Sequence, residues 1–124
     1  MATTGSLDTR ETTSLIASDK VEGTTVYGPD QKKIGTVERM MIDKISGKVA
    51  YAVLTFGGFM GIGSDYYPVP WSTLKYDTML GGYRTNITRD QLDRAPKFSN
   101  DNDWNWSREN DTRVYDYYKA TPYW

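Results

Sequence analysis

Residues 56–71 read FGGFMGIGSDYYPVPW, and four glycines, Gly57, Gly58, Gly61 and Gly63, fall in the first eight positions. A loop this rich in glycine either cradles a phosphate, with its backbone N–H groups leading into a helix N-terminus, or joins two strands. Spacing decides between them. A dinucleotide fingerprint needs G-x-G-x-x-G opening a helix, and these glycines do not match it. A P-loop closes with Gly-Lys-Ser/Thr, whereas residues 63–65 are Gly-Ser-Asp. The residues that follow, Tyr66-Tyr67-Pro68-Val69-Pro70, favour extended backbone, because each proline crowds the residue before it out of the helical region. The stretch therefore reads as a strand connector. Phe59, Met60 and Ile62 at its tip are apolar, as expected of a segment that covers a barrel end or touches a partner.

The flanking segments fit that reading. On the N-terminal side, VAYAVLTF (49–56) is apolar on both faces, the mark of a central strand or of one lying at an interface. Before it, KISGK (44–48) is a hairpin loop with Gly47 available for positive φ. IGTVERMMID (34–43) reads as a strand with imperfect alternation, which points to a bulge or to burial on both faces. VEGTTVYG opens the series, and Gly28, Pro29 and Asp30 make a tight turn after it. On the C-terminal side, Pro68 and Pro70 restrict DYYPVPW to a sheet edge or a bend. LKYD and YRTNI flank a second glycine-containing hairpin loop, TMLGG (78–82). TRDQLDRAP is one or two helical turns, with Thr88 as N-cap, Gln91 at the third helical position and Pro96 beyond the end. Turn signals thus give about six short antiparallel strands over residues 21–87.

Three regions follow: an arm (1–18) rich in Thr and Ser, with too few large apolar groups to offset the entropy of ordering; a β domain (19–98); and an aromatic extension (99–124). In the extension, Ser107 is placed to cap a helix from about Arg108 to Lys119, with Val114, Tyr117 and Tyr118 on one face and Tyr115 widening it. Trp104, Trp106, Tyr115, Tyr117, Tyr118, Tyr123 and Trp124 load this tail with aromatic surface. Each such ring buries about 150–250 Å² when packed, so the tail is expected to pack on its own barrel or on a second copy.

Composition bounds the chemistry. The 124 residues suffice for one domain with one core. Lys plus Arg is 15 and Asp plus Glu is 16, leaving no basic field for nucleic acid. Cysteine and histidine are both absent, which excludes disulfides, Cys–His or Ser–His catalytic pairs and zinc sites of the usual nitrogen and sulfur type. No apolar run is long enough to span a bilayer. The N-terminus lacks the pattern of a secretory signal, so a cytoplasmic location is the default expectation.

The order of these features resembles the PRC-barrel family, named for the cytoplasmic domain of the photosynthetic reaction-centre H subunit. LIASDKVEGTTVYGPDQKKIGTVERMMID is similar to the family opening, in which a strand, a turn and an "IG.V" step follow one another. SGKVAYAVLTFGGFMGIGSDYYPVPWSTLKYD is similar to its hairpin, central strand, glycine loop and "PVPW" strand, and GGYRTNITRDQL to its return strand and short helix. The resemblance covers residues 15–98. It is closer to the small stand-alone bacterial branch than to the H subunit, whose membrane anchor has no counterpart here. The ribosome maturation factor RimM carries a similar barrel beside a second domain that is also missing. The resemblance implies a small, highly twisted β-barrel used for assembly, and it brings no catalytic motif.

The remaining candidates are weaker. Asp101, Asp103 and Asn105 copy the first ligand positions of a calcium loop, but the sixth position is Trp106 and the twelfth Thr112 instead of glycine and glutamate. Asp65, Tyr66 and Tyr67 could bind a small polar ligand, or could be a strand end with aromatic packing. Lys32, Lys33, Arg39, Lys44 and Lys48 bias one region toward positive charge, as a solvated strand face also does. The expected function is a non-catalytic binding module without cofactor or metal, homodimeric and engaging a protein partner. Phe59, Met60, Ile62, Trp104, Trp106, Val114, Tyr117, Tyr118, Tyr123 and Trp124 are its candidate interface. A RimM-like adaptor and a sensor or enzyme built on Asp65 and Tyr66 are the alternatives.

Overall fold

A computed structural model of the chain describes residues 10–56, 65–99 and 104–124. Six strands form one curled sheet: β1 (Thr25–Tyr27), β2 (Lys33–Ile42), β3 (Val49–Thr55), β4 (Tyr66–Pro70), β5 (Leu74–Asp77) and β6 (Gly82–Thr85). Their spatial order is β4-β3-β2-β1-β6-β5. The two outer strands, β4 and β5, are consecutive in sequence, joined by the single 3₁₀ turn Trp71–Thr73. A sheet whose outermost strands are linked so tightly must curl round on itself, and the result is a half-barrel.

The expected all-antiparallel pairing holds except at one seam, where β1 and β6 run parallel, Val26 opposite Tyr83 and Tyr27 opposite Arg84. That pairing joins strands far apart in sequence, which local patterning does not report. Glycine makes the β1–β6 and β2–β3 seams possible. A Cβ on Gly82 would lie 2.5 Å from the Thr25 carbonyl oxygen. One on Gly35, the glycine of the IG.V step, would lie 2.3 Å from that of Thr55. No side chain fits at such distances.

Strand β2 carries register shifts between Val37 and Arg39 and between Met41 and Ile42, the bulges its broken alternation predicts. β3 lies between β2 and β4 and is buried on both faces. Ala52 and Leu54 point into the barrel core with Val26, Val37, Phe56, Tyr67 and Val69. Tyr51 points the other way, into a second cluster with Val114 and Tyr115. β4 is an edge strand, as its prolines require. Tyr66 turns its N–H and C=O away from β3 to bond Phe98, at 2.7 and 3.0 Å. With a period of two, Pro68 and Pro70 turn their nitrogens to that same outer side, where no ladder bond is lost.

Among the described residues three helices complete the fold: α1 (Ser18–Val21), α2 (Arg89–Arg94) and α3 (Arg108–Tyr117). α1 is a single turn at the junction between the N-terminal arm and the first segment read as strand, which it overlaps only at Val21. α2 starts with a full capping box: Thr88 Oγ1 accepts from the Gln91 N–H, and Gln91 Oε1 accepts from the Thr88 N–H. Ser107 caps α3 through the Asn110 N–H. Ahead of the barrel, Glu11 joins Lys20 at 2.7 Å and accepts from the Tyr76 hydroxyl at 2.9 Å. Residues 10–17 are thereby tied to the barrel by polar contacts.

Candidate functional site

Two features outside the barrel core stand apart chemically: the surface where α3 meets β3, and the clefts beside the β5–β6 hairpin and α2.

The α3 surface is built around Asp111, which is 6% exposed. It sits in the first turn of α3, where the helix dipole favours an acidic group. Its Oδ1 accepts from the Tyr51 hydroxyl at 2.6 Å. Its Oδ2 faces the Tyr123 hydroxyl at 3.4 Å and Arg108 Nε at 3.3 Å. Both oxygens are thus engaged, so this buried carboxyl is a pin between helix and sheet. Tyr115 adds a second pin, its hydroxyl donating to the Ala50 carbonyl. Burial, with the bond to Asp111 as a second cause, pushes the Tyr51 phenol far above its usual range. Burial raises Tyr115 to about 12, helped by Tyr123 and Asp111. It also raises Tyr118. No local spacing announces Asp111, because its partner on β3 is 60 residues away.

The aromatic residues read as interface are mostly spent within the chain. Trp106 packs on Tyr51 at 5.2 Å between ring centroids. Trp104 lies 5.6 Å from Phe98. Val114 is fully buried. Tyr117 donates to the Gln91 carbonyl, which ties α3 to α2. Tyr118 bridges the two apolar clusters, and its buried hydroxyl has no partner among the described residues. Tyr123 packs against Tyr51 and Tyr115 at 6.3 and 5.7 Å. Trp124 alone keeps a large exposed surface, 45%, with the Arg108 guanidinium 4.3 Å above its ring. Phe59, Met60 and Ile62, the rest of the glycine loop and Asp101–Asp103 lie outside the described residues.

Tyr66, offered as a ligand group with Asp65, is taken up by its backbone bridge to Phe98 and a ring stack on it at 5.4 Å. Among the described residues no three acidic side chains gather as a metal site would require. No helix among them is long and apolar enough to cross a membrane.

Two clefts flank α2. One, of about 410 Å³, has an apolar floor of Ile34, Phe56, Tyr67 and Leu92, with Lys33 and Asp93 among its polar lining. The other, of about 320 Å³, lies against β5 and β6 and is lined by Ser72, Lys75, Arg84, Asn86 and Gln91. Lys32 and Lys33 apart, the cations that line these clefts were not singled out by sequence. Their juxtaposition depends on strand register, which the turn chemistry sets only after the sheet is known.

A family model described as PRC-barrel domain matches residues 14–92 of the chain. No curated protein matches it.

Proposed function

The chain belongs to the PRC-barrel family, and from that premise we propose that it is a non-catalytic assembly module that pairs with a second copy of itself. A family barrel of this kind is consistent with a binding role. The observation that carries the pairing is a group of exposed large apolar side chains around Asp43 and Arg108. Six large hydrophobic side chains stand exposed among the described residues, and three of them, Ile42 (49%), Ile45 (95%) and Trp124 (45%), lie next to Asp43 in the chain or against Arg108. Electrostatics ties them together. The Asp43 carboxyl, between the two isoleucines, is lowered by the Ile45 backbone N–H and the Ser46 hydroxyl, and also by the charge of Arg108. Arg108 in turn covers Trp124.

The tail has a bracing role in this arrangement. It packs on its own β3 and offers Trp124 to that group. Twofold pairing brings the same group of both copies together and removes apolar surface that one small barrel cannot hide. A tryptophan with an adjacent arginine is a common composition for such a contact. Sedimentation velocity on the full chain tests the reading. A dimer is expected at tens of micromolar, and Ile45→Glu, at a loop tip that contributes nothing to the core, is expected to leave a folded monomer. A wild-type chain that sediments as a monomer, or an Ile45→Glu variant that dimerises equally well, would sink it.

A further inference from the structure

We infer that the cleft between the β5–β6 hairpin and α2 binds a small phosphate ester. Lys75 and Arg84 are register partners on adjacent strands, and both line this cleft of about 320 Å³. Like charges placed directly opposite on neighbouring strands repel. Asp77 relieves Arg84, at 3.3 Å from its Nε. Among the described residues no carboxylate forms an ion pair with Lys75. None lines the cleft either, although the chain holds 16 acidic residues.

The neutral groups around the two cations are hydrogen-bond donors. Ser72 contributes a hydroxyl and Asn86 an amide. Gln91 has its oxygen committed to the Thr88 N–H at 2.8 Å, so its amide nitrogen is the end left to donate. Lys75, the guanidinium N–H groups that Arg84 does not turn to Asp77, and three neutral donors suit a group with several acceptor oxygens, which is a phosphate rather than a carboxylate. The volume fits the lower range of small-molecule sites, and the concave shape favours a compact ester over a nucleic-acid strand. The site uses neither Ile45 nor Trp124, so the inference goes beyond the assembly reading and holds for monomer and dimer alike.

The test is an amide-shift NMR titration of the full chain with glycerol 3-phosphate, with inorganic phosphate, and with a short single-stranded oligonucleotide. Glycerol 3-phosphate is expected to give saturable shifts below about 5 mM, confined to residues 72–75, 84–86 and 91. Inorganic phosphate is expected to shift the same residues more weakly. Lys75→Glu, an exposed change that leaves the core intact, is expected to weaken binding at least about tenfold. Asn86→Asp, which places an acid in the cleft, should act in the same direction while the thermal midpoint holds. Shifts that never saturate, that saturate elsewhere, or that persist unchanged in Lys75→Glu would overturn the assignment. So would tighter binding of the oligonucleotide, which would make the cleft part of a nucleic-acid surface.

Discussion

Single side chains hold the tail to the barrel. The Asp111 carboxyl is surrounded by Tyr51, Tyr123 and Arg108, and removing one partner leaves a buried polar group unsatisfied. Asp111→Ala is expected to destabilise the fold by about 3 kcal/mol, because the Tyr51 hydroxyl then has no acceptor. Tyr51→Phe, which keeps the ring, is expected to cost about half of that. Urea denaturation of both variants checks the order. A Tyr51→Phe variant as stable as the wild type would mean that packing rather than the hydrogen bond dominates. Gly35→Ala belongs to the same scale. Its Cβ would meet the Thr55 carbonyl at 2.3 Å, and relief requires β2 and β3 to separate, at about 1–3 kcal/mol. Gly35 was legible in the sequence as part of the IG.V step. Asp111 was not, because in a polar run such as RENDTR nothing local marks one acid as buried.

At the scale of elements, what was legible was what short-range chemistry determines. The α2 capping box follows from the three-residue spacing of Thr88 and Gln91, and Ser107 marks the start of α3. Gly47 and Gly81 take positive φ in their hairpin loops. Pro68 and Pro70 place β4 at the edge. The parallel β1–β6 seam and the α1 turn were not legible. The first depends on how the whole sheet curls, and the second is only four residues at the junction between arm and first strand, too short for a helical period to show. Thr88→Ala is expected to lower stability by about 1 kcal/mol, with Thr88→Ser close to wild type. Thermal unfolding of the pair distinguishes a cap from a packing effect. Ending the chain at Ser99 removes α3 and uncovers Tyr51 and Ala50. That chain is expected to bind a hydrophobic dye and to aggregate, which light scattering would detect, and a truncated chain as soluble and cooperative as the full one would contradict the packing described.

For the whole molecule, buried phenols make stability depend on alkaline pH. Tyr51, Tyr67, Tyr83, Tyr115 and Tyr118 all have pKa values raised first by burial. The folded chain then keeps protons that the unfolded chain releases above its ordinary tyrosine value of about 10. Their contribution is complete below that pH and is lost as pH rises through the folded values, of which Tyr115 lies at about 12. The urea midpoint is expected to be level up to about pH 9 and to fall above about pH 10, and a midpoint that stays level beyond that range would contradict the burial of these rings. At the same scale lies the claim that the tail braces its own barrel while Ile42, Ile45 and Trp124 meet a second copy. Isotope-filtered NOE spectroscopy on a mixture of labelled and unlabelled chains tests it most directly. Intermolecular NOEs are predicted only among Ile42, Ile45 and Trp124, with the Tyr51–Tyr115 contact purely intramolecular. An intermolecular Tyr51–Tyr115 NOE, the sign of an exchanged tail, or the absence of any intermolecular NOE would contradict it.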